Sequence, residues 1–348
     1  MATGAPLTLM DLARRTDPDG STADVAELLS QANQIYRDMV WKEGNTNTGH
    51  VYTVRTGIPA GTWRYLNQGV PMSKSTTAQG RINCGMLEAQ STVDLKLYQM
   101  ADDPNKFRYE EDNAFMQGMA QTVAGQMIYG NALTNPAAFT GFEAFYNTVN
   151  ANTADNAANV FDGGGTGSNN TSLVLISWNP RTLYGVYPKG SKAGLEMTPL
   201  DSTELAYDSA QNPMRAKITW FKQEAGFCVE DWRWGARIAN LDVTAAGLGG
   251  TNPYDIFAHL SQLMLRLPDA GEAISGIDET DAKSEMGLVT RPAIYANRTL
   301  RGYLDIQAIR DKNVLLTMND YAGKPVTSYR SVPIRLVDQI KSSESRVV

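Results

Sequence analysis

His50-Val51-Tyr52-Thr53-Val54-Arg55 and the run from Arg81 to Tyr98 read as the two strands of one long β-hairpin. In the return run Ile82, Cys84 and Met86 alternate with other residues, and Leu87, Ala89, Ser91, Val93, Leu95 and Leu97 continue the alternation. The phase slips by one residue at Met86-Leu87, the pattern of a β-bulge. Between the strands lies a polar, Gly-rich tip: Gly57-Ile58-Pro59-Ala60-Gly61-Thr62-Trp63-Arg64, then Asn67-Gln68-Gly69 and Ser73 to Thr77. Each ordered residue costs about 1–2 kcal/mol of backbone entropy. A lone two-stranded hairpin buries too little apolar surface to offset that. Either the hairpin is floppy, or it lies on another surface, for which a neighbouring copy of the same chain is the first candidate. A long hairpin built to lie on a neighbour points to an assembly subunit.

A long helix follows the hairpin, expected from about Tyr109 to Tyr129. Phe115, Met116, Met119, Ala120, Val123, Ala124, Met127 and Ile128 form its apolar stripe. Glu110, Glu111 and Asp112 sit where the helix dipole favours acids, Asp102-Asp103-Pro104 reads as the turn before them, and Gly130-Asn131 ends the helix.

Working outward, residues 1 to about 24 read as an extended arm, and Asp24 as the cap of a helix running to about Trp41. Asn147 to Ser172 is a connector rich in Asn, Ala and Gly. Leu173-Val174-Leu175-Ile176-Ser177-Trp178 is a continuous apolar strand, expected to be covered on both faces. Asn179-Pro180 reads as a short helical turn. Two strands are expected within Lys217 to Val243, carrying Ile218, Trp220, Phe227, Val229, Trp232 and Trp234. Thr251-Asn252-Pro253 reads as a helix start, Asp278 to Glu285 as an acidic loop and Gly287 to Tyr295 as a strand. Asn297 caps a further helix, and strands through Tyr329 and Ile334 close the chain. Strands and helices interleave without a βαβ rhythm, so the fold class is α+β with mixed sheets.

Composition narrows the function. The 348 residues carry a formal charge of −6 and no Lys/Arg run, so the footprint of tight nucleic-acid binding is missing. Cys84 and Cys228 are the two cysteines, each in a strand pattern where a reduced thiol is the default. No signal-peptide run and no membrane-spanning stretch occurs, which leads us to expect a soluble chain made in a cytoplasm.

Chemical motifs are near misses. Gly185 to Lys192 has the glycine spacing of a phosphate loop, but Ser191 precedes Lys192, so a structural turn is expected. Gly163 to Ser168 precedes a strand rather than a helix and reads as a flexible loop. His50 and His259 are the only histidines, and neither they nor the cysteines show metal-ligand spacing. His259 reads as a structural histidine. Glu230-Asp231 lies in a strand pattern, where adjacent residues face opposite sides and form no acid/base dyad. No nucleophile elbow accompanies the scattered Ser, His and Asp residues. We expect no catalytic residue, no metal site and no cofactor.

Arm, hairpin, long helix, Asn/Gly connector and mixed α/β remainder, in that order, resemble the major capsid proteins of tailed bacteriophages, the Hong Kong 97-type shell fold. The runs Gly163 to Ser172 and Trp178-Asn179-Pro180-Arg181-Thr182-Leu183-Tyr184-Gly185-Val186-Tyr187-Pro188-Lys189-Gly190 look like segments of podophage-type coat proteins. The resemblance implies an N-terminal arm over residues 1–48 and an extended β-hairpin loop over 49–105. It implies a peripheral domain with the spine helix over 106–146 and 215–250, and an axial domain over 147–214 and 251–348. The implied function is self-assembly as hexamers and pentamers into an icosahedral shell around double-stranded DNA, which is enclosed without sequence-specific binding. A separate scaffolding protein, a portal and a cement protein are the implied partners, with assembly in a host bacterial cytoplasm and no membrane. Gly57, Gly61, Gly69, Gly80 and Gly85 are expected to let the hairpin flex. Trp63, Arg64 and Tyr65 at the tip are expected to anchor the interface, because aromatics and Arg dominate hot spots. Lys74 lies in the loop, but the sequence names no partner for a covalent cross-link. An encapsulin-like compartment shell and a soluble enzyme with an unrecognised site are the alternatives.

Overall fold

The computed structural model describes residues 7–14, 31–200, 202–207, 211–244, 248, 250, 254–268, 291–310, 316–321, 324–330 and 332–348. In chain order the elements are α1 (Leu9–Arg14), α2 (Ile35–Asp38), β1 (Trp41–Glu43), β2 (Gly49–Gly57), β3 (Thr76–Asn83), β4 (Gly85–Asp94), α3 (Leu95–Met100) and α4 (Pro104–Tyr129). Then come α5 (Phe142–Phe145), β5 (Val160–Asp162), β6 (Asn170–Trp178), β7 (Leu183–Tyr187), β8 (Leu195–Pro199), β9 (Glu204–Tyr207), β10 (Pro213–Val229) and β11 (Gly235–Asp242). The last are α6 (Ile256–Arg266), β12 (Arg291–Ala296), α7 (Arg298–Arg310), β13 (Leu316–Tyr321), β14 (Lys324–Tyr329) and β15 (Val332–Leu336).

The principal sheet runs β13-β14-β15-β12-β6-β7-β10-β4, with β1, β5, β8, β9 and β11 attached off this path. Its centre is β6, buried along its whole length. Val174, Ile176 and Trp178 join a core with Val123 and Met127 of α4 and with Phe227. Leu173 and Leu175 face the other way, into a core with Ile256, Leu260 and Leu263 of α6 and Leu300 and Leu304 of α7. A strand covered on both faces has no polar side, and that is why its text is a continuous apolar run.

The long helix α4 starts one turn earlier than its apolar stripe suggests. The Asp103 carboxylate accepts from the Asn105 and Lys106 amides, and Pro104 occupies the first turn. Glu110, Glu111 and Asp112 therefore lie in its second turn and beyond. At about 1.5 Å per residue, α4 spans roughly 40 Å.

Several expectations are corrected. The return strand stops at Asp94, which caps α3 through the Lys96 and Leu97 amides, so Leu95 to Tyr98 are helical. The irregularity lies at Cys84, not Met86-Leu87: β3 ends at Asn83, and β4 begins at Gly85 with unbroken register against β10. Trp41 opens β1, which pairs in parallel with β7, instead of ending a helix. Of that helix only Ile35–Asp38 is described, and Asp24 lies outside the described residues. Asn179-Pro180 forms a non-helical turn between β6 and β7, with the Thr182 amide donating to the Asn179 carbonyl. Trp232 and Trp234 form a single 3-10 turn. Helix α6 starts at Ile256 with Asp255 as cap, while Thr251-Asn252-Pro253, Asp278 to Glu285 and Gly287 lie outside the described residues.

One buried cation ties these parts together. Arg237 of β11 is 1% exposed. It donates to Ser172 Oγ, the Tyr146 carbonyl, Glu143 Oε1 and Glu344 Oε2, each at 3.0 Å. Glu344 also accepts from Tyr129 Oη and Ser172 Oγ. Sheet, α5 and the C-terminal segment thus meet on one guanidinium, and the end of α4 joins through Glu344. Removing it leaves Glu344 buried and unpaired, so Arg237→Met is expected to destabilise the chain by about 3–5 kcal/mol in chemical denaturation. A loss below about 1 kcal/mol would show that the cluster is not structural.

Candidate assembly surface

Strands β2 and β3 form a two-stranded sheet of their own, apart from the principal sheet. Their register runs from Gly49↔Asn83 at the root to Gly57↔Thr76, with a shift between Arg55 and Gly57. At the root the Asn45 side chain accepts from the Val51 amide at 2.8 Å and donates to the Val51 carbonyl at 2.7 Å. Arg81 donates to Thr48 Oγ1 at 2.9 Å. Ile82, Tyr184, Val186 and Cys228 form a small core beneath, with Tyr52 and Cys84 against it. Both thiols are free, and burial pushes Cys84 up to about 11 and Cys228 up to about 12.

Two of the glycines expected to confer flexibility serve close packing instead. A Cβ on Gly80 would lie 2.4 Å from the Tyr52 ring, and one on Gly85 would lie 3.0 Å from the backbone of Ala138 and Phe139. Gly61 and Gly69 stand in open space. The loop at Gly163 to Ser168 is also held: the Gly163 and Gly165 amides donate to the Ala239 and Asn240 carbonyls.

Trp63, Arg64 and Tyr65 lead into a turn at the tip, closed by the Gln68 amide donating to the Tyr65 carbonyl. The Tyr65 amide donates to Gln68 Oε1 at 3.2 Å, Arg64 Nη1 donates to the Gln68 carbonyl at 3.0 Å, and Asn67 takes a left-handed φ of 68°. Trp63 is 100% exposed. The tip is less polar than its text suggests, because Ile58, Leu66, Val70 and Met72 are exposed beside it. Spaced along a loop without periodicity, these residues gave no sequence signal of a shared surface.

A second open surface lies on the principal sheet. Odd-numbered residues of β10 face α4: Thr219 bonds Asp112 and Arg108, and Phe221 stacks on Phe115 at 5.9 Å. Over the middle of the strand Trp220, Lys222 and Glu224 face away, whereas Ala216, Ile218 and Cys228 to either side are buried. Trp220 is registered with Gln90 and Thr198, Lys222 with Glu88 and Glu196, and Glu224 with Met86. Trp220 and Met86 are exposed. Lys222 bonds Glu224 at 3.0 Å. Sequence patterning places Trp220 among the apolar strand residues without showing that its face is uncovered.

The other motifs resolve as structure. His259 Nδ1 lies 2.9 Å from the Asp255 carbonyl, and its ring stacks on Tyr254. Glu230 and Asp231 fall beyond β10; Glu230 accepts from Tyr184 and Asp231 from Arg233, so they serve separate partners. Gly190 turns with φ 84° between β7 and β8. Among the described residues no group of three or more His, Cys, Asp or Glu could hold a metal ion, and no helix is long and apolar enough to cross a membrane.

A spine helix beneath a sheet, with a detached hairpin whose tip is wholly exposed, defines an α+β shell subunit of the Hong Kong 97-type. Residues 17–348 match the family model described as Major capsid protein GP7. The chain is similar to a chain in the bacteriophage Epsilon15 structure at 30% identity and a TM-score of 0.71, over 100% of this chain and 98% of that one. The bacteriophage JBD30 capsid shares the fold at 13% identity and a TM-score of 0.50, over 90% and 93% of the two chains. An encapsulin from Synechococcus elongatus aligns at 11% identity and a TM-score of 0.41, over 68% of this chain and 98% of that one, too distant to carry an argument. No curated protein sequence matches the chain. The chain belongs to the major capsid protein GP7 family. It is a shell-forming coat protein, a capsid component of a tailed bacteriophage.

The hairpin root carries a testable acid sensitivity. His50 is buried, edge-on to Tyr184 at 5.9 Å, and its Nδ1 has no hydrogen-bond partner. Burial, then Lys42, hold its pKa below the ordinary 6.5, with Glu230 opposing. The unfolded chain therefore binds the proton more readily; the root is at full strength above pH 6.5 and weakens as pH falls below it. Hydrogen exchange at β2 and β3 is expected to quicken on acidification, and His50→Phe to flatten that dependence. An unchanged pH slope in the variant would clear His50.

Proposed function

We propose that this coat protein closes its shell as hexamers and pentamers around double-stranded DNA, each hairpin reaching over a neighbouring copy. The observation that carries this reading is the hairpin itself: a separate two-stranded sheet ending in a fully exposed Trp63. Trp63, Arg64 and Tyr65 are the proposed interface anchors, a large rigid ring beside a cation and a second aromatic. The remaining parts follow as proposals: residues 1–48 as the arm, 49–105 as the extended loop, and peripheral and axial domains meeting within β10. Gly235–Asp242 lies between β5 and β6 and shares the core of α6 and α7, which favours the axial side for that strand. A separate scaffolding protein, a portal and a cement protein are proposed partners, with assembly in the host cytoplasm.

The role we propose is structural. A cavity of about 210 Å³ between α4, β4 and β10 is lined by Met86, Leu87, Val123 and Phe139 among others, and by no titratable side chain. That lining favours packing over chemistry.

Electron microscopy of cells expressing the chain with its neighbouring genes tests the reading. Closed shells containing DNA are the expected result; dispersed chains in the presence of a scaffolding partner would overturn it. Trp63→Ala is expected to leave the dispersed chain folded, with an unchanged thermal midpoint, and to lower the yield of shells about tenfold or more. Normal assembly of that variant would remove Trp63 from the interface.

A further inference from the structure

One stretch of the chain avoids charge. From Asn113 to Phe142 there is no Asp, Glu, Lys, Arg or His, in a chain of which 20% is charged. The stretch covers the C-terminal part of α4 and the turn beyond it. It is not buried throughout: Ala114, Gly118, Ala120 and Thr122 of α4 are exposed, and so are residues 133–137 of the turn. A Cβ on Gly118 would meet nothing within 4 Å. Charge is depleted in this way at the cores of interfaces, not over free surface.

A knob and a hole stand side by side on this surface. The knob is Leu133, 94% exposed. Hydrogen bonds fix its turn: the Leu133 amide donates to Asn131 Oδ1 at 2.9 Å, and the Thr134 and Asn135 amides donate to the Asn131 carbonyl at 3.1 and 2.9 Å. Gln126 Nε2 ties the returning chain to α4 by donating to the Phe139 carbonyl at 2.7 Å. A leucine on so fixed a turn brings little ordering cost when it is buried by a partner. The hole is the cavity of about 210 Å³ between α4, β4 and β10. Val123, Phe139 and Ala225 form its buried floor, and Thr122, Asn135 and Ala137 its exposed rim. Leu133 comes just before that rim in the chain, yet its exposure shows that it does not fill its own cavity.

We propose that this surface is a two-fold contact between two copies of the chain, with Leu133 of each entering the cavity of the other. A two-fold axis presents the same patch from both sides, so a patch that carries both knob and hole satisfies itself. Missing charge fits the same geometry. Around a two-fold axis each charge approaches its own copy, and like charges would repel there. The proposal rests on the shell reading and assigns it a contact that the hairpin tip does not make.

Shells from cells expressing the chain with its neighbouring genes test it. Leu133→Asp is expected to lower shell yield about tenfold while the dispersed chain keeps its thermal midpoint, and Leu133→Met to keep the yield. Thr122→Cys with Leu133→Cys, oxidised in assembled shells and run on a non-reducing gel, is expected to give covalent dimers and nothing larger. Either substitution alone is expected to stay monomeric. In shells of the unaltered chain, hydroxyl-radical footprinting is expected to find Leu133 protected relative to the dispersed chain. Normal yield from Leu133→Asp, or Leu133 as reactive in shells as when dispersed, would overturn the exchange and leave the shell reading intact. A ladder of cross-linked chains longer than two would mark a contact around a ring and overturn the two-fold. Protection of Leu133 without dimers would give the cavity to another occupant and overturn it too. Absence of shells from the unaltered chain would remove the shell reading itself.

Discussion

A guanidinium with no exposure to water must have its charge and its donors met by the protein, and Arg237 meets that demand from four places in the chain at once. Glu143 comes from α5, Ser172 from β6, the Tyr146 carbonyl from the segment after α5, and Glu344 from the C-terminal segment. Tyr129, the last residue of α4, joins through Glu344 and also accepts from the Lys341 amide at 2.8 Å. No one of these elements can shift without stranding a buried charge. The cluster therefore fixes how the spine helix lies against the sheet, and with it the direction in which β10 and β4 run.

The hairpin's position depends on that frame but is not part of it. The strand that returns from the tip changes partners at Cys84, leaving β2 and joining β10. Up to Asn83 its hydrogen bonds belong to the hairpin; from Gly85 they belong to the principal sheet. At that break the Cys84 amide donates to the Thr48 carbonyl at 3.0 Å, and Gly85 lies against the backbone of Ala138 and Phe139. Such a break gives the arm a sheet of its own, while Ile82 and Tyr52 keep its root packed on Tyr184, Val186 and Cys228.

Legibility follows the same division. β6 and α4 were readable because burial on two faces, or on one stripe, writes itself as a hydrophobic pattern. Leu95 to Tyr98 was misread because Leu95 and Leu97 continue the strand's period of two; only the Asp94 cap marked the switch to helix. The break at Cys84 is legible only as the slip in alternation at Met86-Leu87, two residues late: the inward phase passes from Ile82 to Leu87, Ala89 and Ser91 as the partner strand changes. Arg237 was silent: between Ala236 and Ile238 nothing in its text distinguishes a buried cation from an exposed one. The tip triad Trp63, Arg64 and Tyr65 could be picked out by residue type, whereas the uncovered face bearing Trp220 could not. A strand pattern shows that two faces differ, not which one lacks a covering layer.

A closed icosahedral shell asks one sequence to meet its copies in more than one setting. A chain rigid throughout would satisfy one setting and strain the others; a chain loose throughout would pay ordering entropy at every contact. Here the two demands fall on different residues. Buried polar bonds around Arg237 and Asn240, which exchanges two hydrogen bonds with Val347, make the body one piece up to its C-terminal segment. The adjustable part is confined to a two-stranded arm whose root is stapled by Asn45 and whose tip keeps open space around Gly61 and Gly69. Because the returning strand changes partners at Cys84, the arm's hydrogen bonds end where those of the principal sheet begin.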